Sequence, residues 1–340
     1  MDEKGTTKID WEAAIKNAVR YASISFVVNP IQINSGVLPF TFPDGSVLDQ
    51  ATSVERENIK VKLESLIGRS GTLSLAGIFE SKQTATELPG GGYSIQTESL
   101  PEPKWKYYVV RYPGTRNVNV NLHYAASICE TPLDLLSFSL SEISNGYKFE
   151  SLQKYFHIGS HQGFMDRVVC INVDSLKEIA ITYELLIATT GGIGGKGDFP
   201  EILRALQMLD SLNDLPSNSS FLCLGLFAII EMLITHNPVL EDRGNSITHQ
   251  MKSKIPLLSR RFDRPLPLSE HFGEASSEKI WSALYSYRSS VAHGGVPDFR
   301  KKQQLLVSQE NADKFLRVTV KSLIRHALRE PDLYRDLRAC

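Results

Sequence analysis

The sequence has few cysteines and no apolar run long enough to cross a membrane. The four cysteines are widely spaced and form no CxxC pair; they are Cys129, Cys170, Cys223 and Cys340. This spacing favours free thiols in a reducing compartment over a disulfide framework or a zinc site. The longest apolar run, 221–234, is too short to span a bilayer and contains Glu231. Because the N-terminus is polar and lacks the pattern of a signal peptide, we expect a cytoplasmic protein.

The chain also lacks a strong net charge, but its charges are unevenly distributed. The 340 residues include 37 Lys and Arg and 38 Asp and Glu, a net charge of −1. Residues 243–340 carry a formal charge of +8, whereas residues 1–242 carry −9. A basic C-terminal part is typical of proteins that bind a polyanion. Docking of the basic part against the acidic part explains the same distribution equally well.

The length favours two domains, and the sequence pattern changes between them. From Ile24 to Tyr147, short alternating runs separated by Pro, Gly, Asn and Asp predict strands, most clearly at Asn117–Tyr124. A helical period appears at Asp174–Ala188, and every signal after residue 198 is helical. Further predicted elements are a helix that begins at Asp10 and strands at Gly71–Ala76 and Lys104–Val110. We therefore predict an α+β protein, with a β-rich domain at 1–190, a glycine-rich linker at 191–198 and an all-α domain at 199–340.

One predicted helix in the C-terminal domain has an unusual second face. It begins at Ser276 or Ser277 and stops at the paired glycines 294 and 295. Its ordinary core stripe consists of Ile280, Leu284, Tyr287 and Val291. The line beside that stripe consists of Trp281, Tyr285, Arg288 and Ala292. Because a solvated face rarely carries Trp, Tyr and Arg together, we expect this face to contact another subunit, a ligand or both.

The end of this helix resembles a known motif. The pattern Tyr285-x-x-Arg288-Ser289-x-x-Ala292-His293-Gly-Gly is similar to the Arg-x4–6-His motif of the higher eukaryote and prokaryote nucleotide-binding (HEPN) superfamily. Its form Arg-Ser-x-x-Ala-His-Gly is similar to the Apea-like branch of that superfamily. The apolar run that contains Glu231 resembles the acidic-residue helix of the same branch. The resemblance covers roughly residues 198–330.

The resemblance implies a HEPN-like helical bundle that forms a symmetric homodimer through the 276–295 helix. Active members of the superfamily cleave RNA without a metal, where the Arg and His residues of two subunits meet. The resemblance therefore implies that Arg288 and His293 are catalytic, that RNA is the partner, and that no metal or cofactor is required. These residue types suit the reaction, because a histidine exchanges protons near neutral pH and an arginine donates to phosphoryl oxygens.

The motif spacing also bears on the dimer. Five residues on a regular helix place Arg288 and His293 roughly 140° apart, so one subunit cannot easily direct both at one phosphate. Either the helix loosens at the glycines, or residues from two chains converge across a two-fold axis. The residues expected to support RNA binding are Ser289, Tyr285, Trp281, Glu231, Lys321 and Arg325.

Two functional interpretations follow. The first is a metal-independent endoribonuclease, a toxin-like or antiphage defence effector controlled by an N-terminal domain that binds a trigger ligand or protein. The alternative is a non-catalytic RNA-binding, nucleotide-binding or dimerisation module in a partner-binding scaffold. In that alternative Arg288 is a structural partner of Glu231 or Glu278, and the basic stripe that includes Lys321 and Arg325 is a solvated face.

Overall fold

The computed structural model describes residues 24–29, 31–34, 36–67, 79–87, 93–113, 116–138, 169–236 and 247–339. The chain divides into two compact units, one of residues 1–127 and 131–180 and the other of residues 128–130 and 181–340. The predicted helix from Asp10 and the predicted strand at Gly71–Ala76 lie outside the described residues.

The described residues up to Ile171 contain short strands and two helices. The strands are β1 (Ile24–Val27), β2 (Ile31–Ile33), β3 (Phe40–Thr41), β4 (Val47–Gln50), β5 (Ser81–Glu87), β6 (Tyr93–Ser99), β7 (Tyr108–Arg111), β8 (Leu135–Phe138) and β9 (Val169–Ile171). The helices are α1 (Ser53–Ile67) and α2 (Arg116–Ile128). The largest sheet has the order β3-β4-β7-β1-β8, with antiparallel neighbours throughout. In addition, β2 pairs with β9 in parallel, and β5 and β6 form an antiparallel hairpin.

Strand β1 forms the centre of the first unit. It pairs with β7 on one side and β8 on the other, and all four of its residues are buried. The ring of Phe26 packs against Phe79 at a centroid distance of 5.0 Å and against Tyr107 at 6.1 Å. At the sheet surface, Arg111 of β7 forms an ion pair of 2.7 Å with Glu55 of α1. This ion pair attaches α1 to the sheet.

The predicted strand at Asn117–Tyr124 is wrong, because these residues belong to α2. The alternation of Val and Asn is followed by buried residues at helical spacing, namely Leu122, Ala125, Ala126 and Cys129. Leucine and alanine favour helix, and the stripe that they form is buried only if the segment is helical. The strand predicted at Lys104–Val110 is shifted: a 3-10 turn occupies Glu102–Lys104, and β7 begins at Tyr108.

The second unit is helical in the part of the chain that the structure describes. Its helices are α3 (Val173–Thr190, shared with the first unit), α4 (Pro200–Leu212), α5 (Phe221–Ile234), α6 (Ile247–Ser259), α7 (Leu268–Phe272), α8 (Ser277–Ala292), α9 (Gln309–Arg329) and α10 (Pro331–Ala339). No strand occurs among the described residues after Ile171. The chain is therefore a mixed α and β protein, as predicted, with helices alone in its described C-terminal part.

Helix α5 is enclosed by its neighbours in the second unit. Eight of its 14 residues are buried, and α4, α6, α8, α9 and α10 all contact it. Gly225 allows α4 to approach closely, because a Cβ atom there would lie 2.3 Å from Cδ2 of Leu212. Glu231 lies on the same helix, and its side chain is 19% exposed.

The glycine-rich segment 191–198 forms a tight turn at the end of α3. The amide of Gly191 donates to the carbonyl of Ile187 at 2.9 Å, and that of Gly195 donates to the carbonyl of Gly192 at 3.1 Å. A Cβ atom at Gly197 would lie 2.1 Å from the carbonyl carbon of Thr190, so the turn requires glycine there. The compact units divide inside α3, between residues 180 and 181, and not at the predicted linker.

Candidate functional site

The C-terminal end of α8 carries the Arg-x4-His motif and has a well-defined termination. Gly294 adopts a left-handed conformation with φ of 74°. The amide of Gly294 donates to the carbonyl of Val291 at 3.0 Å, and the amide of Gly295 donates to the carbonyl of Ser290 at 2.8 Å. This pair of bonds is the Schellman motif that ends many helices. It fixes His293 as the last residue before the chain leaves the helix axis.

His293 is exposed at this helix end, whereas Arg288 is half-buried one and a half turns earlier. The amide of His293 donates to the carbonyl of Ser289 at 3.2 Å. Ser289 is itself half-buried and lies one turn before the histidine. The imidazole is therefore accessible, and its backbone position is set by the helix.

Arg288 and Glu231 form an ion pair that is poorly hydrogen-bonded. A terminal guanidinium nitrogen of Arg288 lies 3.4 Å from Oε1 of Glu231, and the guanidinium lies 5.8 Å from the ring centroid of Tyr285. Neither Oε1 of Glu231 nor Nε of Arg288, both buried atoms, has a hydrogen-bond partner among the described residues. Burial raises the pKa of Glu231, and the charge of Arg288 opposes this shift. The pair therefore retains hydrogen-bonding capacity that another molecule could use.

The two aromatic residues predicted to stack RNA bases have different surroundings. Trp281 is only 2% exposed and packs against Phe315 of α9 at a centroid distance of 5.9 Å. Its ring belongs to the core, whereas the sequence pattern predicts it on an accessible face. Tyr285 is half-buried, edge-on to Phe227 at 6.4 Å. Of the two rings, only that of Tyr285 lies beside Arg288 with part of its surface accessible.

The basic residues predicted on α9 do not form a free stripe. The side chain of Arg325 is 10% exposed and donates to the carbonyl of Ile128 and to the carboxylate of Glu130, each at 2.5 Å. These contacts attach residues 128–130 to α9 within the second unit. Lys321 is half-buried on the same helix. Arg325 therefore has a structural role in this chain.

A buried polar cluster behind α8 was missed by the sequence analysis. Asp313 of α9 is 3% exposed, and its Oδ1 lies 3.5 Å from the hydroxyl of Tyr287. Burial raises the pKa of Asp313 to about 7, although the charge of Arg317 opposes this shift. Burial likewise raises the pKa of Tyr287 and that of the Cys223 thiol. The cluster therefore places a titratable carboxyl next to the residue that precedes Arg288.

An open groove of about 680 Å³ lies beside the ion pair. Glu231, Met232 and His236 line it from α5 and the residues after it, and Arg335 and Arg338 line it from α10. Sequence patterns did not predict this groove, because its two walls are about a hundred residues apart in the chain. Glu231 is thus shared between the groove and the motif.

Within the described residues, no group of three or more His, Cys, Asp or Glu side chains has an arrangement that could hold a metal ion. None of the helices in the described part of the chain combines the length and the apolar character needed to span a bilayer. Comparison of the chain with protein-family models, with curated proteins and with solved structures gives no match in any of the three.

Proposed function

We propose that the protein is a metal-independent endoribonuclease that acts as a homodimer, with Arg288 and His293 as its catalytic residues. The observation that carries this proposal is the arrangement at the end of α8. There His293 is exposed, and the half-buried Arg288 has an Nε that makes no hydrogen bond to any described residue. A proton-transfer group and a cationic donor are the two components that cleavage of RNA by its own 2′-hydroxyl requires.

In the proposed reaction, one His293 removes the proton of the 2′-hydroxyl, and the 2′-oxygen attacks the adjacent phosphorus. The bond from phosphorus to the 5′-oxygen breaks, and that oxygen receives a proton from water. The products are a 2′,3′-cyclic phosphate and a 5′-hydroxyl. Arg288 donates hydrogen bonds to the phosphoryl oxygens as their negative charge increases. Because Arg288 and His293 are roughly 140° apart on one helix, the proposal assigns each phosphate to residues of two subunits.

By analogy with the superfamily that the motif resembles, we assign the protein to the toxin-like or antiphage effectors, with the first unit as the part that responds to a trigger. One observation favours the alternative, a non-catalytic RNA-binding or dimerisation module. Arg288 already pairs with Glu231 at 3.4 Å, as a structural arginine would. The two functions differ in whether RNA is cleaved.

The test uses full-length protein and, beside it, residues 198–340 alone, which lack the part that responds to a trigger. Both are incubated with end-labelled single-stranded RNA in the presence of EDTA. We expect the wild type to cleave this RNA and to leave its 2′-deoxy counterpart intact, whereas Arg288→Ala and His293→Ala abolish cleavage. The matched controls, Arg204→Ala and His249→Ala, replace exposed residues outside the motif and retain cleavage. Equal cleavage by the motif variants and the controls would refute the site assignment.

A mixing experiment tests the shared site. If each phosphate uses Arg288 of one subunit and His293 of the other, mixed and reassociated Arg288→Ala and His293→Ala proteins regain about a quarter of wild-type activity, since half of the dimers then contain one intact pair. No recovery on mixing, with subunit exchange verified by two affinity tags, would place both residues of a site in one subunit.

A further inference from the structure

The groove beside the ion pair has the features of a constructed binding site. The backbone of one lining residue, His236, is held by Gln250, which is 1% exposed and whose side chain bonds both the amide and the carbonyl of His236, at 3.1 and 3.2 Å. One wall is the buried helix α5, and the other is α10. Apart from Met232, the lining side chains are charged, polar or small. Such a lining favours a polar ligand over the apolar side chains of a protein partner.

The two arginines in the groove are held by ion pairs of different strength. Arg335 pairs at 2.5 Å with Asp332, a side chain that is 86% exposed. Arg338 pairs at 2.7 Å with Glu201 of α4, whose side chain is 30% exposed. Exposed pairs contribute little, so a phosphate can replace the carboxylate of Asp332 at small cost. Arginine forms paired hydrogen bonds with phosphate oxygens, which makes both residues suitable contacts for a phosphodiester backbone.

Glu231 supplies the opposite kind of contact. Its side chain lines the groove, and its Oε1, a buried atom, accepts no hydrogen bond from a described residue. A buried carboxylate oxygen without a donor is unfavourable, and a ligand that brings an N–H or O–H group relieves this cost. Nucleotides carry such donors on their bases and ribose, together with an anionic phosphate.

We propose that the Glu231–Arg338 groove, lined by Glu231, Met232, His236, Arg335 and Arg338, holds the single-stranded RNA segment next to the cleaved phosphate. Phosphates of that segment contact Arg335 and Arg338, and a base or ribose donor contacts Glu231. Because Glu231 also pairs with Arg288, the segment leads directly to the motif. The identity of the ligand rests on the proposed function, since it takes the ligand to be the substrate.

The experiment measures RNA affinity in the full-length chain, with His293→Ala in every sample so that the RNA stays intact. Anisotropy of a labelled single-stranded RNA is recorded between about 50 and 200 mM salt, where the slope of log affinity against log salt changes by roughly 0.7 per phosphate contact on a single strand. We expect Arg335→Gln and Arg338→Gln each to weaken binding about 3- to 10-fold and to reduce the slope by roughly 0.7. Arg335→Lys and Arg338→Lys retain most of the slope, because they keep the charge.

Two further variants test the groove: one should strengthen RNA binding, and the other should leave it unchanged. Glu201→Gln removes the carboxylate that holds Arg338, so it strengthens binding about 2- to 3-fold. Arg204→Gln, an exposed arginine on the same helix and outside the groove, leaves affinity and slope unchanged. Unchanged slopes in both groove variants, or an absence of RNA binding, would overturn the groove. If the salt slopes change as expected but the protein never cleaves RNA, the proposed nuclease function is wrong and the proposed RNA-binding groove is retained.

Discussion

Replacing Asp313 by Asn is expected to change how the stability of the protein depends on pH. Asp313 lies in α9 with 3% of its surface exposed, and its Oδ2 makes no hydrogen bond to a described residue. Desolvation raises its pKa from 3.8 to about 7. An amide has nearly the shape of a protonated carboxyl but never ionises. The substitution therefore removes the titration and preserves the packing.

The magnitude follows from the size of this shift. A change of about 3 pKa units, at 1.36 kcal/mol each, corresponds to about 4 kcal/mol between the two protonation states. Because the pKa is raised in the folded state, protonated Asp313 stabilises the fold. This contribution to the free energy of unfolding is fully present below pH 3.8 and is lost as the pH rises through about 7. Between about pH 5 and pH 8, ionisation of Asp313 lowers the free energy of unfolding of the wild type by about 2.5 kcal/mol.

The assay is urea unfolding followed by far-ultraviolet ellipticity at several pH values from about 5 to 8. We expect the stability of Asp313→Asn relative to wild type to rise by about 2.5 kcal/mol across this range. Asp336→Asn, which changes an exposed aspartate on α10, controls for the loss of one negative charge. A stability difference between Asp313→Asn and wild type that stays constant with pH would show that the carboxyl titrates normally, and would refute the reasoning.

Two further substitutions test the structure around the motif. Gly294→Ala places a Cβ atom on a residue with φ of 74° and should lower the free energy of unfolding by about 1 kcal/mol. Urea unfolding measures this change, and an unchanged midpoint would mean that α8 ends in another way. Trp281→Ala should cost about 3–5 kcal/mol, and Tyr285→Ala, at a half-buried ring, less than half as much. Similar small costs for both would instead support an accessible Trp281.

Local periodicity predicted α3 and the helices after residue 198, because burial repeats with the helical turn, but it missed α1 and predicted a strand in place of α2. Helix α3 was expected at Asp174–Ala188 and spans Val173–Thr190. Helix α9 begins after Ser308, whose hydroxyl accepts a hydrogen bond from the amide of Asn311 at 3.1 Å, as expected of a serine that caps a helix. Asp313 could also have been found from sequence, since it lies three residues before Leu316, on the apolar line of α9.

What local patterns could not show is which residues meet across the fold. The width of the buried stripe on α8 depends on α9, whose Phe315 covers Trp281. Arg325 resembled a solvated or RNA-binding residue, yet its partner Glu130 is 195 positions away. The pairing of Arg288 with Glu231 was foreseen as one of two alternatives, because both residue types were already under consideration. The groove is formed only when α5 and α10 pack together, and the hydrophobic periodicity of a single helix cannot show which helices are neighbours.

The Schellman motif at the end of α8 also fixes an angle. Gly294 ends the helix immediately after His293, so the direction of the histidine relative to Arg288 is set by the number of residues between them. One residue inserted between the two would rotate His293 by about 100° around the helix axis and move it about 1.5 Å along that axis. An insertion of about a full turn would restore the direction but move the histidine about 5.4 Å further along. Redesign of this helix end must therefore keep the four-residue interval, even where the intervening side chains are changed.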